Sequence, residues 1–210
     1  MTEPVVTISA SYGAGGSVVA PALAEQLGWP FIDRMVTPEL THDALAIRSG
    51  EGLTGDEAAN TPPNRFLSSL ARAAGVGAMM PPDMIVDTEL DLREQTEAAL
   101  SPLLAGGRGV VLGRASAVIL ANRPRTLHVR LDGPQERRIA RAAELEGISL
   151  TEARARQGDT DRARNLFVRR LYHRDPEDAT LYHLRIDSTV LPIEAVVKLL
   201  LVAVEASVAF

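Results

Sequence analysis

The sequence predicts a parallel α/β fold, and three observations carry that expectation. A buried-strand segment, a glycine-rich turn, a helix and a second strand follow one another at the start of the chain. Short apolar strand segments recur later, separated by longer helical stretches. Hydrophobic residues make up 46% of 210, enough to bury a sizeable core in one α/β domain with an insertion.

Residues 5–10 (VVTISA) are apolar and β-branched, bounded by Pro4 and a glycine cluster, and read as a buried strand. Residues 11–17 (SYGAGGS) form a glycine-rich turn. Val18 to Leu27 returns to apolar spacings of three and four with Gly28 as a stop, which predicts a helix. Trp29 to Asp33 (WPFID) is a short strand-like element ending in Asp33-Arg34. Between Met35 and Pro82, Gly50-Glu51-Gly52, Thr54-Gly55, Thr61-Pro62-Pro63 and Met79-Met80-Pro81-Pro82 punctuate short helical pieces, as in a helical insertion. Asp87 to Leu104 reads as an amphipathic helix closed by Gly106-Gly107, and Gly109 to Leu112 (GVVL) as a buried strand. Thr126 to Leu131 (TLHVRL) is the next strand, followed by Asp132-Gly133-Pro134 and an arginine-rich helix to about Ala143. Thr151 to about Leu171 is helical and strongly charged. Tyr182 to Asp187 is the last strand segment, and Pro192 to Val204 the closing helix.

Composition excludes several classes. A net charge of -5 argues against a broad basic face for nucleic acid or anionic membrane. The absence of cysteine removes disulfides, thiolate metal sites and cysteine nucleophiles. There is no basic-then-apolar leader pattern and no apolar run of about eighteen residues, so a soluble cytoplasmic protein is expected. His42, His128, His173 and His183 show no metal-ligand spacing, and His128, inside a strand, reads as a satisfied core or edge residue. The 22 basic residues comprise 21 arginines and one lysine, Lys198.

The glycine turn points backbone N–H groups and a helix's positive end at one place, which suits a phosphate. Laid on the pattern G-x-x-x-x-G-K-[ST], residues 10–17 match at Gly15 and Ser17, with Ala10 for the first glycine and Gly16 for the lysine. On G-x-G-x-x-G, Gly13 and Gly15 match but Val18 does not; Asp33 stands where a ribose-binding acid would. The same turn would also serve merely to bring strand and helix into close packing. Ser17 reads equally as a helix cap or as a Mg²⁺ ligand.

Taken in order, the segments resemble the cytidylate kinase-like family, a branch of the nucleoside monophosphate kinases. VTISASYGAGGS resembles that family's opening strand and lysine-less loop, and LGWPFIDR its second strand. GVVLGRAS resembles its glycine-arginine strand end, and TLHVRLDGPQERR the following strand and helix start. DTDRARNLFVRRLY resembles its arginine-rich lid helix, and LYHLRIDSTVLPIEAV its last strand and helix.

The resemblance implies a P-loop kinase-type three-layer sandwich with a parallel sheet, a helical acceptor-binding insertion at about 35–82 and a lid at about 151–175. The core would then be about 1–34, 83–150 and 176–210. It implies ATP-dependent phosphorylation of a nucleoside monophosphate such as CMP, with ATP and Mg²⁺ as cofactors. Ser11, Tyr12, Gly13, Ala14, Gly15, Gly16 and Ser17 would cradle the donor phosphates, with Ser17 on the metal. Arg114, Asp161, Arg162 and Arg164 would serve catalysis, and Asp33, Arg34, Arg114, Asp161 and Arg164 the acceptor. Arg137 and Arg138 would contact adenine or simply decorate a helix.

Three positions depart from the pattern: Gly16 replaces the loop lysine, Ala115 an acid, and Gln157 a lid arginine. The family often carries an arginine just before or after the loop, where this chain has Ala10 and Val18. These departures support a second reading, a nucleotide- or anion-binding protein of the same fold that acts as a regulatory or interaction subunit. A third, a dinucleotide-binding oxidoreductase, rests on Gly13, Gly15 and Asp33 alone. The expected partners are a nucleoside monophosphate or related small acceptor, without nucleic acid or membrane. The apolar stretch Val196 to Phe210 would pack on the core or form a homodimer interface.

Overall fold

Four β-branched residues and two small ones, Val5–Ala10, form β1, and all six are buried because the strand lies at the centre of a sheet. The structure, a computed structural model, describes residues 2–33, 93–94, 96–113 and 115–208. Arg34, Arg114 and the insertion read over 35–82 lie outside the described residues.

After β1 the chain forms helix α1 (Gly16–Leu27) and the two-residue strand β2 (Phe31–Ile32). Residues 96–104 are helical and are labelled α2. Then come β3 (Gly109–Leu112), the short α3 (Ser116–Ile119), β4 (Thr126–Asp132), α4 (Gln135–Glu146), α5 (Leu150–Tyr172), β5 (Leu184–Asp187) and α6 (Ile193–Val208). The strands form one sheet in the order β2-β3-β1-β4-β5, every pair parallel. Val5 pairs with Gly109 on one side and Thr126 on the other. The chain leaves β1 for β2 and β3 on one side and crosses to β4 on the other. The carboxyl end of β1 is therefore a topological switch point, where open parallel sheets hold ligands.

Alternation along the strands gives the sheet two unlike faces. Val6, Ile8, Val110, Leu112, Leu127, Val129 and Leu131 turn to one face, against Val19, Leu23, Val196 and Leu200 of α1 and α6. On the opposite face Val5 and Val111 pack with Leu100, Leu103 and Leu120. Nearer the carboxyl ends that face is polar: Thr7, Ser9, His128 and Arg130 are all buried. Thr7 Oγ1 and His128 Nδ1 share a hydrogen bond of 2.7 Å, and the His128 amide donates to His183 Nδ1 at 3.0 Å.

Glycine stops end α1 and α4, with Gly28 and Gly147 in the left-handed conformation. Ser149 caps α5 by accepting the Glu152 amide. α5 then runs unbroken for 23 residues. Its first half packs through Ala153 on Ile139 and Ala142 of α4, and its second half through Phe167, Val168 and Leu171 on Ala115. The strand-like element expected over Trp29 to Asp33 is reduced to Phe31–Ile32, at the sheet edge with β3 as its only partner strand among the described residues. α4 extends beyond Ala143 to Glu146, and α6 beyond Val204 to Val208. Among the described residues no helix is long and apolar enough to cross a membrane.

Gly13 locks the loop after β1 to α4. It sits at φ +76, and a Cβ there would fall 2.0 Å from the Arg138 carbonyl oxygen. Gly13→Ala is expected to cost about 2 kcal/mol or more, from backbone strain together with displacement of α4. Urea denaturation of the two proteins measures this directly. His128 supplies a second expectation: burial, then the neighbouring His183, lowers its pKa from 6.5 to about 4. The unfolded chain therefore binds the proton first as pH falls, and stability drops between about pH 6.5 and 4 by roughly 3 kcal/mol. A non-titrating His128→Gln variant should show a flatter dependence across that window, whatever its stability at neutral pH.

Candidate functional site

The loop between β1 and α1 is built from the backbone. Gly13 and Gly15 have φ of +76 and +77, and Gly15 occupies the N-cap position of α1. No side chain caps that helix and its first turn carries no acid. An uncapped helix start presents unpaired N–H groups and a partial positive charge. Ser17, read from sequence as a cap or a metal ligand, is not the cap: it is exposed in the first turn.

Two helices close over this loop. A cavity of about 540 Å³ lies between them, lined by Ser11, Tyr12, Gly13, Gly15, Gly16 and Ser17 below and by Glu146, Arg156, Thr160 and Arg164 from α4 and α5. That volume is in the range of small-molecule sites. Arg156, Thr160 and Arg164 recur every fourth residue, so one face of α5 supplies all three. Arg164 Nη1 donates to the Ala10 carbonyl at 3.3 Å.

Asp161 is the knot of the site. Its Oδ1 accepts the Tyr12 backbone N–H at 3.0 Å, and its Oδ2 accepts Arg138 Nη1 at 2.8 Å and Gln157 Nε2 at 3.0 Å. Arg138 also donates to the Tyr12 carbonyl (2.8 Å) and the Gly133 carbonyl (3.0 Å). Loop, α4 and α5 thus meet on one carboxylate. Arg138 is consequently buried between loop and helix, while Arg137 is exposed and lies 3.6 Å from Asp187. Gln157 is buried and holds Asp161 while accepting from Gln135 Nε2 at 2.8 Å. Ala115 packs in the apolar cluster under α5, where a carboxylate would be desolvated.

Glu146 receives the Tyr12 hydroxyl at 2.8 Å and Arg156 at 3.0 Å. Burial, reinforced by that carboxylate, pushes the Tyr12 phenol up to about 12, so it stays a neutral donor. Arg156 also pairs with Glu152 at 2.6 Å, and Arg154 grips Glu136 through both terminal nitrogens at 2.7 and 2.6 Å.

The structure thus gathers Ser11, Tyr12, Gly13, Gly15, Gly16, Ser17, Asp161 and Arg164 at one place, whereas Ala14 turns away from the cavity into the apolar core, where it is fully buried. Arg162 is exposed on α5 and lines none of that cavity, and Asp33 is exposed at the end of β2. Arg34 and Arg114 lie outside the described residues. Sequence reasoning missed Glu146, which joins Tyr12 across 134 residues of chain, and Arg130, a fully buried β4 arginine whose Nη2 donates to Ser11 Oγ at 3.0 Å. The alternation His128, Arg130, Asp132 in β4 puts Arg130 on one face of the strand with the other two but carries no mark of its depth.

The donor set suits a polyphosphate and a hard cation. Uncapped helix-start amides and arginines suit phosphate oxygens, and the exposed Ser17 offers a hydroxyl, an oxygen ligand of the kind Mg²⁺ takes beside phosphates and waters. Among the described residues no group of three His, Asp or Glu side chains is placed to hold a metal by itself.

The chain is similar to known proteins in sequence and in fold. A cytidylate kinase from Methanopyrus kandleri is 30% identical over 106 residues, half of this chain and 55% of that protein. The chain thus spans only about half the length of this curated relative. An uncharacterized protein from Eubacterium ventriosum ATCC 27560 has a crystal structure with the same fold, at a TM-score of 0.65 and 15% identity, covering 97% of this chain and 99% of that one. A gluconokinase from Sinorhizobium meliloti 1021 is similar at a TM-score of 0.48 and 17% identity over 98% of this chain and 91% of its own. The model of the cytidylate kinase-like family matches residues 5–190. With that match across the sheet, the loop and both helices over it, the chain belongs to the cytidylate kinase-like family, built on a parallel five-stranded α/β fold.

Proposed function

We propose that the protein transfers a phosphoryl group from Mg·ATP to a nucleoside monophosphate such as CMP. The observation that carries this reading is the loop of residues 11–17 at an uncapped helix start, facing Arg156 and Arg164 across one cavity. Phosphoryl transfer needs little covalent chemistry from the protein, and positioning with charge neutralisation supplies most of the rate. The amides of Gly13, Gly15, Gly16 and Ser17 would hold the donor phosphates, those of Ser11, Tyr12, Ala14 and Val18 being bonded within the chain. Arg164, with its carbonyl contact to Ala10, would bring a cation that stays protonated and binds phosphate in two-pronged fashion. Ser17 would hold Mg²⁺, which shields charge on the phosphates when bound. Asp161 would keep α5 seated on the loop, so that the lid arginines meet the phosphates in fixed register. Asp33, Arg34 and Arg114 would serve the acceptor side and Arg162 catalysis, as the resemblance implies, and α5 would act as the lid.

Two observations favour the alternative of a binding protein without turnover. The Tyr12 amide is already held by a carboxylate of the same chain, and no lysine lies in or beside the loop.

The test is a phosphoryl-transfer assay with Mg·ATP and a panel of nucleoside monophosphates, products being separated by chromatography. Turnover on CMP or dCMP is the expected result. Arg164→Ala should lower kcat/KM by about 100-fold, the usual loss when a cation or donor is removed from a developing charge. Asp161→Asn, which keeps the shape and removes the charge, should lower activity while raising KM for ATP. Nucleotide binding with no product from any monophosphate would favour the binding-protein reading instead.

A further inference from the structure

Arg130 is an expensive residue to keep. Its side chain is completely buried in β4, and among the described residues Nε and Nη1 have no hydrogen-bond partner. Burying a guanidinium with unspent donors opposes folding, and such groups persist where another requirement holds them. Nη2 alone is engaged: it donates to Ser11 Oγ at 3.0 Å and to Glu177 Oε1 at 2.6 Å, with Asp132 Oδ2 farther off at 3.7 Å. Tyr182 lies under the guanidinium, its ring centre 5.9 Å from Cζ. An aromatic face there holds the charge in place without neutralising it.

The location gives this charge its meaning. In the sheet register Arg130 stands opposite Ser9, two residues before Ser11, which is the loop's first residue and part of the cavity wall. The loop itself carries no cation: Gly16 stands at the lysine position, and its flanks are Ala10 and Val18. The one lysine is Lys198, exposed on α6. Glu177 at 2.6 Å and Asp132 at 3.7 Å both reach solvent, 41% and 28% exposed, so they are screened by water where the guanidinium is not and offset its charge only in part.

We infer that Arg130 is a positioning residue for the donor loop: from beneath the sheet it fixes Ser11 through its hydroxyl and supplies the permanent positive charge that the loop lacks. The inference rests on the proposed nucleotide-donor reading and adds to it a cation that comes from β4 rather than from the lid. Phosphates arriving on the loop meet a charge already desolvated and oriented, so nothing need be reorganised when they bind. Acting through Ser11, Arg130 affects the donor nucleotide and leaves the acceptor alone.

The experiment measures equilibrium binding of a fluorescent ATP analogue with Mg²⁺, alongside the unfolding midpoint, for the intact chain and for Arg130→Met, Arg130→Lys, Ser11→Ala and the Arg130→Met/Ser11→Ala double variant. Arg130→Met is expected to weaken binding by about 30-fold, the scale of one charge-assisted hydrogen bond. Arg130→Lys should recover most of that loss, because the charge and one N–H remain. Ser11→Ala should weaken binding by itself, and the double variant should be no worse than Arg130→Met alone. Where turnover is measured, KM for ATP should rise with KM for the acceptor unchanged. A lowered midpoint with unchanged binding in Arg130→Met would make the residue structural only and overturn the inference. Should Arg130→Met fail to fold, unchanged binding in Ser11→Ala overturns it equally. If the intact chain binds no nucleotide at all, the donor reading itself fails and the role of Arg130 falls with it.

Discussion

One carboxylate sets the geometry of the whole upper surface. Asp161 is the meeting point of a loop that follows the central strand, a helix that follows β4, and the long helix after it. Each of the three would otherwise carry a buried polar group in need of a partner: a backbone amide, a guanidinium and a side-chain amide. Satisfying all of them on one residue fixes three elements with a single constraint, and a network of this kind has only one good arrangement. The loop could not take part without Gly13, because any side chain there would meet the backbone of α4. The exposed cavity face of α5 is a consequence of the same anchoring.

Charge is the second theme, and it is largely internal. Arg154 and Arg156 spend their guanidinium groups on Glu136, Glu146 and Glu152, and Arg169 on Asp175. These pairs are exposed and contribute little to stability. Their effect is to hold long side chains in set directions along the helices. A protein with 21 arginines and a net charge of -5 is therefore not a basic surface. It is a mosaic in which only a few cations face the cavity.

Much of the framework was legible in the sequence because it depends on local patterns. β-branched runs marked β1, β3 and β4, and Gly28 marked the end of α1. The loop was legible through Gly13 and Gly15, whose positive φ no other residue adopts so readily. Depth was not. Alternation in Thr126–Asp132 looks the same for a strand with one wet face as for one buried on both, so Arg130 gave no sign of lying fully inside. Contacts such as Tyr12 with Glu146, or Asp161 with Arg138, join residues far apart in the chain and leave no local trace. Gln157 and Ala115 looked like losses when compared with a family pattern. In the structure one completes the Asp161 network and the other fills an apolar seam.

The unbroken course of α5 has a consequence for how this segment can change over time. Arg156, Gln157, Thr160, Asp161 and Arg164 are held in phase by a single continuous spiral. Adding or deleting one residue anywhere between them would turn everything downstream by about 100° and send half the set away from the loop. The turns at Gly147 and after Tyr172 carry no such phase, so length can vary there at little structural cost. Spacing within the helix is therefore under tighter restraint than the identity of most of its residues, and any viable change of length should fall at its ends.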